Sequence, residues 1–272
     1  QRLYDIVNTN DYIQYVNDKI QNAVVMLDTK TGAVRAVNGG RKQTTLLGYN
    51  RATDNSRSTG STIKPVIDYG PAIEYLNYST GQTIMDQRTT YSNGVELNNW
   101  DFSHKGAMTL RTALVYSRNT TALQTFKAVG ETNIKSFLNN LDIQIKNDGQ
   151  DYLVESNSIG ADISPIKMAA AYATFGNYGT YSKPYTVTKV TTRDGQVTEF
   201  KPEQKQAMKD STAYMITDVL KDSFKYGFAT QAAIPGLPTA AKTGSSNYTV
   251  EQKRAMGASD YEDIIPDSWF IG

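Results

Sequence analysis

The 272-residue chain contains no cysteine and a single histidine, His104. Without cysteine there is no disulfide framework, no thiolate nucleophile and no cysteine-ligated zinc site. With one histidine, a Ser-His-Asp hydrolase would depend on His104, and a zinc site would lack its usual second and third ligands. A serine enzyme with this composition needs a base other than histidine, and we expect neither a metal nor another cofactor.

The sequence also lacks an excess of charge and any long apolar run. Lys and Arg number 28, Asp and Glu 27, and the net charge is +1. This balance argues against a nucleic-acid-binding or polybasic membrane-binding surface. Weakly polar stretches such as Met168–Phe175 are far shorter than the roughly 20 residues of a membrane helix. Hydrophobic residues make up 39% of the chain, which is enough for a substantial core.

The order of the predicted elements indicates an α/β (α+β) fold. Asp28 to Gly32 forms a turn between the β-prone segments Ala23–Leu27 and Ala33–Val37, and Thr239–Ser245 and Ser268–Ile271 are also predicted strands. This order predicts an antiparallel sheet built from both chain ends and flanked by helices, plus a mainly helical lobe. Hydrophobic periodicity predicts helices over 61–77, 109–130 with a break at 117–119, 131–141, 164–175 and 210–226, a hairpin over 185–200, and polar turns over 78–106.

The hexapeptide Gly60-Ser61-Thr62-Ile63-Lys64-Pro65 is the most informative motif. Positions i and i+3 share one face of a helix, so the Ser61 hydroxyl and the Lys64 amine can meet. Pro65 favours a helix start within about a turn of Ser61, where the helix dipole would stabilise an oxyanion. A desolvated lysine near other cations can act as a base for a serine nucleophile. The alternative is an ordinary helix start, and Ser164-Pro165-Ile166-Lys167 matches the same pattern.

Ser117-Arg118-Asn119 interrupts two helical stretches. A serine at such a break can relay protons between Lys64 and a leaving group, and Asn119 can orient a substrate amide. The alternative is a helix cap, since serine and asparagine are favoured cap residues.

Lys242-Thr243-Gly244 precedes Ser245-Ser246 near the end of the chain. On an edge strand, Lys242 and Gly244 share one face, and glycine lets a ligand backbone lie close. The lysine and the hydroxyls could bind a carboxylate, while the main chain pairs with an extended peptide. The alternative is a plain strand end, because Lys30-Thr31-Gly32 repeats the triplet in a hairpin turn.

These three motifs, in this order, are found together in penicillin-binding proteins and class A β-lactamases. With Asn99-Trp100-Asp101, the segment 168–175 and the segment 267–272, the sequence resembles the transpeptidase domain of a class A penicillin-binding protein of Gram-positive type. The resemblance implies a β-lactamase/transpeptidase-like fold: a five-stranded antiparallel sheet with flanking helices, a mainly helical lobe, and a cleft between them. Residues 1–20 are then a linker segment and 21–272 the transpeptidase domain, C-terminally truncated, because relatives continue into a further strand and helix. Relatives often have threonine where this chain has Phe228.

The resemblance also implies a role for each motif residue. Ser61 corresponds to the acylated nucleophile, Lys64 to its base, Ser117 to the proton relay and Asn119 to the residue that holds the substrate amide. Lys242 and Thr243 correspond to the carboxylate-binding pair, Gly244, Ser245 and Ser246 to further substrate-binding positions, and the N–H groups of Ser61 and Ser245 to the oxyanion hole.

The implied activity is a D,D-transpeptidase that cross-links peptidoglycan stem peptides through a serine acyl-enzyme, with a D-Ala-D-Ala donor and an amine acceptor. The expected partners are stem peptides and β-lactam antibiotics, with other cell-wall synthesis proteins as candidates and no nucleic acid. The expected location is the extracytoplasmic face of the cell membrane, with an anchor and a glycosyltransferase domain upstream of this sequence.

Three alternatives stay open at this point. A β-lactamase would need a deacylating glutamate downstream of Ser117, and the nearest candidate, Glu155, does not match that loop. A D,D-carboxypeptidase would use the same motifs. A non-enzymatic β-lactam sensor or binding module would be acylated without turnover, which distinguishes it from an enzyme.

Overall fold

The computed structural model describes residues 2–9, 13, 15, 17, 19–248, 250–259 and 264–272. Within these parts of the chain, no helix combines the length and apolar character needed to cross a membrane. The helices are α1 (Arg2–Asn8), α2 (Gly70–Leu76), α3 (Leu110–Val115), α4 (Asn119–Val129), α5 (Glu131–Asn140), α6 (Pro165–Gly176), α7 (Asp210–Asp222) and α8 (Val250–Ala255).

The strands are short and pair in antiparallel twos: β1 with β2, β3 with β8, β4 with β7, β5 with β6, β9 with β12, β10 with β11, and β13 with β14. Their bounds are β1 (Val24–Leu27), β2 (Val34–Asn38), β3 (Arg57–Ser58), β4 (Thr83–Asp86), β5 (Thr89–Thr90), β6 (Glu96–Leu97), β7 (Gly106–Thr109), β8 (Asp162–Ile163), β9 (Thr180–Ser182), β10 (Lys189–Thr191), β11 (Val197–Glu199), β12 (Gln204–Gln206), β13 (Lys242–Ser245) and β14 (Ser268–Ile271).

The predicted helix over 61–77 is present but is not uniformly α-helical. It begins as a 3₁₀ turn over Gly60–Ile63, continues as a π turn over Pro65–Tyr69 and becomes α-helical in α2. Pro71 has no N–H to donate to the carbonyl four residues back, and the Gly70 N–H instead reaches the Pro65 carbonyl. The wide turn follows from this exchange, and such turns are frequent at functional sites.

Both chain ends contribute antiparallel strands, as predicted. The β1–β2 hairpin turns at Gly32, whose positive φ of 77° suits glycine, and β13 pairs with β14. Both β1 and β14 contact α6. Among the described strands, no backbone ladder joins these two pairs, so the structure has two separate two-stranded pairs against α6 and not the single five-stranded sheet that the resemblance implies.

Two segments contain more regular structure than their polarity suggested. The predicted turn region 78–106 includes β4, in which buried Ile84 and Asp86 alternate with exposed Thr83 and Met85, and β4 pairs with β7. The predicted linker 1–20 begins with α1, whose Val7 is 3% exposed. Linker residues 1, 10–12, 14, 16 and 18 lie outside the described residues.

The hydrophobic core lies directly behind the 3₁₀ turn of Ser61. Ile63, Val66 and Ile67 have no exposed surface and pack into one cluster with Leu114 and Phe137. Because this segment is embedded in a close-packed core, the positions of Ser61 and Lys64 are fixed with it.

Candidate active site

Ser61 sits on a backbone turn that is anchored from several sides. The Tyr172 hydroxyl donates to the Thr62 carbonyl at 2.7 Å, and the Thr59 N–H donates to the Ala161 carbonyl at 3.0 Å. The Lys64 N–H closes the turn on the Ser61 carbonyl. In a 3₁₀ turn, residues i and i+3 are eclipsed, so Ser61 and Lys64 share one face. Ser61 itself is half-buried.

The Lys64 amine is buried and surrounded by acceptors from the break between α3 and α4. It donates to the Ser117 carbonyl at 2.7 Å, the Arg118 carbonyl at 3.2 Å and Asn119 Oδ1 at 2.7 Å, and its side chain has no exposed surface. Burial is the main cause that lowers the pKa of Lys64 well below its usual value, and the nearby charge of Lys242 lowers it further. Burial therefore favours the neutral amine, which is the form that can accept a proton, and the three acceptors stabilise the ammonium that results.

The Ser117 hydroxyl connects two buried lysines. Ser117 Oγ lies 3.4 Å from Lys64 Nζ and 3.0 Å from Lys242 Nζ. Ser117 has a φ of +54°, a left-handed conformation uncommon outside glycine, so the sharp break between the helices aims its side chain between the two amines. Burial lowers the pKa of Lys242 to about 7. A hydroxyl between two such amines can pass a proton in either direction.

Asn119 is held in place by a second asparagine that the motif analysis did not assign. Asn99 Oδ1 accepts from the Asn119 N–H at 2.7 Å and from the Thr120 N–H at 3.3 Å, so it caps the start of α4. Asn119 Nδ2 donates to the Asn98 carbonyl at 2.8 Å while its Oδ1 accepts from Lys64. The carboxamide therefore has a fixed orientation.

Arg118, between the two motif residues, points away from Lys64 into a buried ion network. Its Nε donates to Asp86 at 2.9 Å, its Nη1 donates to both oxygens of Asp101 at 2.9 Å, and its Nη2 donates to the Ser103 carbonyl. Burial favours the neutral acid of Asp86, but hydrogen bonds from Thr120, the Lys105 N–H and Asn99 hold its pKa below the usual value. The network clamps the turn that carries Ser117 and Asn119.

Strand β13 and the Ser61 turn are in close backbone contact at two glycines, Gly244 and Gly60. A Cβ on Gly244 would lie 2.7 Å from the Thr59 carbonyl oxygen and 2.8 Å from the Thr62 nitrogen. A Cβ on Gly60, which has a φ of +50°, would lie 2.1 Å from the Ser245 carbonyl oxygen. Only glycine permits this contact, which brings the Ser61 backbone beside the Ser245 backbone.

The remaining predicted binding residues lie along β13 and just after it. Thr243 is half-buried and Ser245 is exposed, while the Ser246 hydroxyl donates to Asp267 at 3.0 Å. Arg57 Nε bonds the same carboxylate at 2.5 Å, so Ser246 belongs to a fixed cluster at the end of the strand pair. Among the described strands, β13 forms a backbone ladder with β14 alone.

A cavity of about 510 Å³ opens beside the Ser117 turn. Trp100 forms one wall, with its indole N–H donating to the Tyr116 carbonyl at 3.1 Å. Phe228 packs edge-on against Trp100 with ring centroids 5.2 Å apart. The lining residues are Trp100, Asp101, Lys105, Ala107, Met108, Thr112, Tyr116 and Arg118.

The predicted convergence of the motifs is present for Lys64, Ser117, Asn119 and Lys242. A direct hydrogen bond from Ser61 Oγ to Lys64 or Ser117 is not present. The Lys64 amine is directed to acceptors of the Ser117–Asn119 turn, and Ser61 Oγ has no hydrogen bond within the described structure. The second copies of the motifs behave differently: Lys30 and Lys167 are exposed, whereas Lys242 is buried against Ser117.

Sequence reasoning missed the residues that support the site. The motifs assign no role to Asn99 or Asp101 of the tripeptide 99–101, and no sequence pattern singles out Arg118 or Asp86. Charged residues are seldom fully buried unless paired, and their partners here come from loops distant in sequence.

Comparison with known proteins agrees with this geometry. The sequence model of the family "penicillin binding protein transpeptidase domain" matches residues 22–272 of this chain. The chain belongs to the penicillin-binding protein transpeptidase family. It is 42% identical to penicillin-binding protein 1A/1B of Bacillus subtilis over 93% of this chain and 28% of the relative, and 40% identical to penicillin-binding protein 1A of Streptococcus oralis over all of this chain and 44% of the relative. The resemblance to Gram-positive class A proteins is confirmed.

Solved structures of transpeptidases share the fold. Penicillin-binding protein PonA1 from Mycobacterium tuberculosis superposes with a TM-score of 0.76 at 22% identity, over 92% of this chain and 66% of that one. Penicillin-binding protein 1A from Haemophilus influenzae superposes with a TM-score of 0.72 at 23% identity, over 84% of this chain and 40% of that one. The predicted transpeptidase-like fold class is confirmed. The chain spans less than half the length of the two Gram-positive relatives.

Proposed function

We propose that this transpeptidase domain is a serine D,D-transpeptidase that joins peptidoglycan stem peptides through an acyl-enzyme on Ser61. One observation carries the proposal: the buried amines of Lys64 and Lys242 meet at the Ser117 hydroxyl, on the face of the turn that also bears Ser61. The family match supports the same reaction class.

In the first half-reaction, Ser61 Oγ attacks the carbonyl carbon between the two D-alanines and gives its proton to the Lys64 amine. The N–H groups of Ser61 and Ser245, brought together by the glycine contact, bind the oxyanion. The proton passes through Ser117 to the nitrogen of the terminal D-alanine as the C–N bond breaks. The products are free D-alanine and an ester on Ser61.

In the second half-reaction, the acceptor amine attacks the ester carbon and loses a proton along the same route. A peptide bond forms, the ester bond breaks, and Ser61 regains its hydroxyl proton. Asn119 orients the donor amide, and Lys242 with Thr243 binds the terminal carboxylate. Gly244, Ser245 and Ser246 complete the strand along which the peptide lies.

A β-lactam would enter the same path. Attack by Ser61 opens the ring, and the ring nitrogen takes the proton that otherwise reaches D-alanine. This leaving group stays covalently attached to the acyl group, so it blocks the attack of the acceptor amine and the ester on Ser61 persists.

The same proposal covers location and organisation. Stem peptides lie outside the cytoplasmic membrane, so residues 21–272 act as a catalytic domain at its extracytoplasmic face, held by an anchor in a longer protein. Upstream glycosyl transfer and contacts with other cell-wall synthesis proteins belong to that longer protein.

The rival activities differ in the fate of the acyl group. Glu155, the candidate deacylating base of a β-lactamase, accepts hydrogen bonds from the Ser92 N–H at 2.6 Å and the Ser92 hydroxyl at 2.5 Å, and pairs with Lys127 at 3.1 Å. These contacts commit it to a structural role.

The test is incubation with a D-Ala-D-Ala donor peptide and an amine acceptor, with free D-alanine and cross-linked product both quantified. A transpeptidase yields D-alanine together with product. D-alanine with hydrolysed donor alone would indicate a carboxypeptidase, and a stable acyl-protein without release of product would indicate a sensor; either result would overturn the proposal.

A further inference from the structure

A second ionisable side chain is buried in the same helical segment as Lys64, and the proposed reaction does not use it. Asp68 follows Lys64 by four residues in the π turn and has no exposed surface. Both of its carboxyl oxygens are buried with no hydrogen-bond partner within the described structure. Buried carboxyl groups are normally hydrogen-bonded or paired, because an unpartnered one costs folding free energy. Asp68 therefore requires an explanation beyond packing.

The charges around the Lys64 amine give that explanation. Lys242 from β13 and Arg118 from the turn before α4 both disfavour a Lys64 cation, and Asp68 is the acidic group that favours it. Lys64 is likewise the charged group that acts on Asp68, whose own pKa burial raises well above its usual value. No carboxylate of the described residues lies within ion-pair distance of the Lys64 amine.

Charged groups on the other elements packed around this turn are already paired. The pairs are Glu131 with Lys135 on α5, Glu155 with Lys127 on α4, Arg111 on α3 with Asp218 and Asp222, and Arg118 with Asp86 and Asp101. Tyr69, the neighbour of Asp68, bonds Thr121 and stays protonated because burial raises its pKa. Among the described residues, Asp68 is thus the acidic group that offsets the effect of Lys242 on the Lys64 amine.

We infer that Asp68 is a positioning residue for the proposed reaction, whose buried carboxyl, one turn beyond Lys64, sets the basicity of the Lys64 amine. When Lys64 takes the Ser61 proton, a cation forms next to Lys242 in a water-poor site. The Lys64 cation in turn lowers the pKa of Asp68, and the ionised carboxylate of Asp68 stabilises the cation, so Lys64 remains basic enough to deprotonate a hydroxyl. Without Asp68, the amine is neutral over a wider pH range but is a weaker base.

The test uses Asp68→Asn, which keeps the shape and removes the charge. The titration midpoint of Lys64 is followed by NMR on protein with ¹³C-labelled lysine, with the resonance assigned from Lys64→Arg. We expect the midpoint to fall by about one pH unit in Asp68→Asn, in line with the influence of a nearby opposite charge. The rising limb of the rate of Ser61 acylation by a fluorescent penicillin should move to lower pH by the same amount, and the plateau rate should fall several-fold.

The matched control is Asp222→Asn. Asp222 is also buried, at 6% exposed, but it pairs with Arg111 and Lys225 away from the site, so its loss should lower stability without moving the Lys64 midpoint. If Asp68→Asn does not fold, Asp68→Ala makes the same prediction.

An unchanged Lys64 midpoint in the folded Asp68 variant would overturn the inference. Because the inference rests on the proposed function, its failure must be separable from a failure of that function. Persistent acylation of Ser61→Ala would overturn the function, whereas the NMR midpoint tests Asp68 regardless of activity.

Discussion

Lys242 Nζ lies 3.0 Å from Ser117 Oγ, although the two residues are 125 positions apart in the chain. Lys64 Nζ lies 3.4 Å from the same oxygen. Three motifs that are each weak alone thus share a single hydroxyl. The proposed reaction needs a base other than cysteine or histidine in this chain, and this arrangement offers one in Lys64.

Replacing Lys64 by arginine should keep the charge but remove the base, because arginine does not lose its proton at accessible pH. General-base catalysis is typically worth about 10²–10⁴-fold, so the rate of Ser61 acylation by penicillin should fall at least about 10²-fold. Lys167→Arg, in the exposed second copy of the motif, is the control and should react at the parental rate. Acylation of Lys64→Arg within a few-fold of the parent would show that Lys64 acts only as a charge.

Carboxylate recognition by Lys242 should weaken as the pH rises through about 7, the value to which burial lowers its pKa. The sign follows from the direction of the shift: below about 7 the amine carries its charge, and above it the charge is lost in the free enzyme. The second-order acylation rate constant, measured from pH 6 to 9, should therefore have a falling limb. Lys242→Arg keeps its charge throughout, and a falling limb that survived in that variant would contradict the assignment.

Removal of the Arg118 side chain should both destabilise the domain and slow acylation. Arg118 is 2% exposed, and Arg118→Ala leaves the carboxylates of Asp86 and Asp101 without their shared partner. Breaking a buried pair in this way costs about 3–5 kcal/mol, which urea unfolding would measure. Arg88→Ala, which breaks an exposed pair with Glu96, should cost about 0–1 kcal/mol. Equal losses in the two variants would show that the buried network does not clamp the turn.

Alanine at Gly244 should separate β13 from the Ser61 turn. Its Cβ would meet backbone atoms of Thr59 and Thr62 at 2.7 and 2.8 Å, and backbone cannot rotate away as a side chain can. Overpacking of this kind costs about 1–3 kcal/mol, and we expect a lower melting temperature with slower acylation. Gly81→Ala, whose Cβ would lie 3.7 Å from Ser79 Oγ, an ordinary contact distance, is the control. Unimpaired acylation in Gly244→Ala would contradict the close contact.

Much of the helical lobe was predictable from the sequence because its determinants are local. Apolar periodicity marked α4 to α7, and the polar triplet at Ser117 marked the break between α3 and α4. Order and local context also distinguished Lys242 from Lys30 as the strand lysine. Each of these inferences uses residues within one or two turns of each other.

The rest depends on contacts between segments distant in sequence. In the sequence, Arg118 and Asp68 have the pattern of surface residues on helices. They are buried because the segments that carry Asp86 and Asp101 and the core helices pack around them. The π turn after Pro65 arises from two prolines acting together on one hydrogen-bond ladder. Two-residue strands such as β5 and β6 are too short for a periodic pattern.

The most direct test of the account is the site of acylation by a β-lactam. Intact mass and peptide mapping after penicillin treatment should show one adduct, on Ser61, that persists for much longer than it takes to form. Ser61→Ala should show none, while Ser164→Ala, in the second copy of the motif, should be labelled like the parent. An adduct that remains in folded Ser61→Ala would contradict the assignment of Ser61 as the nucleophile.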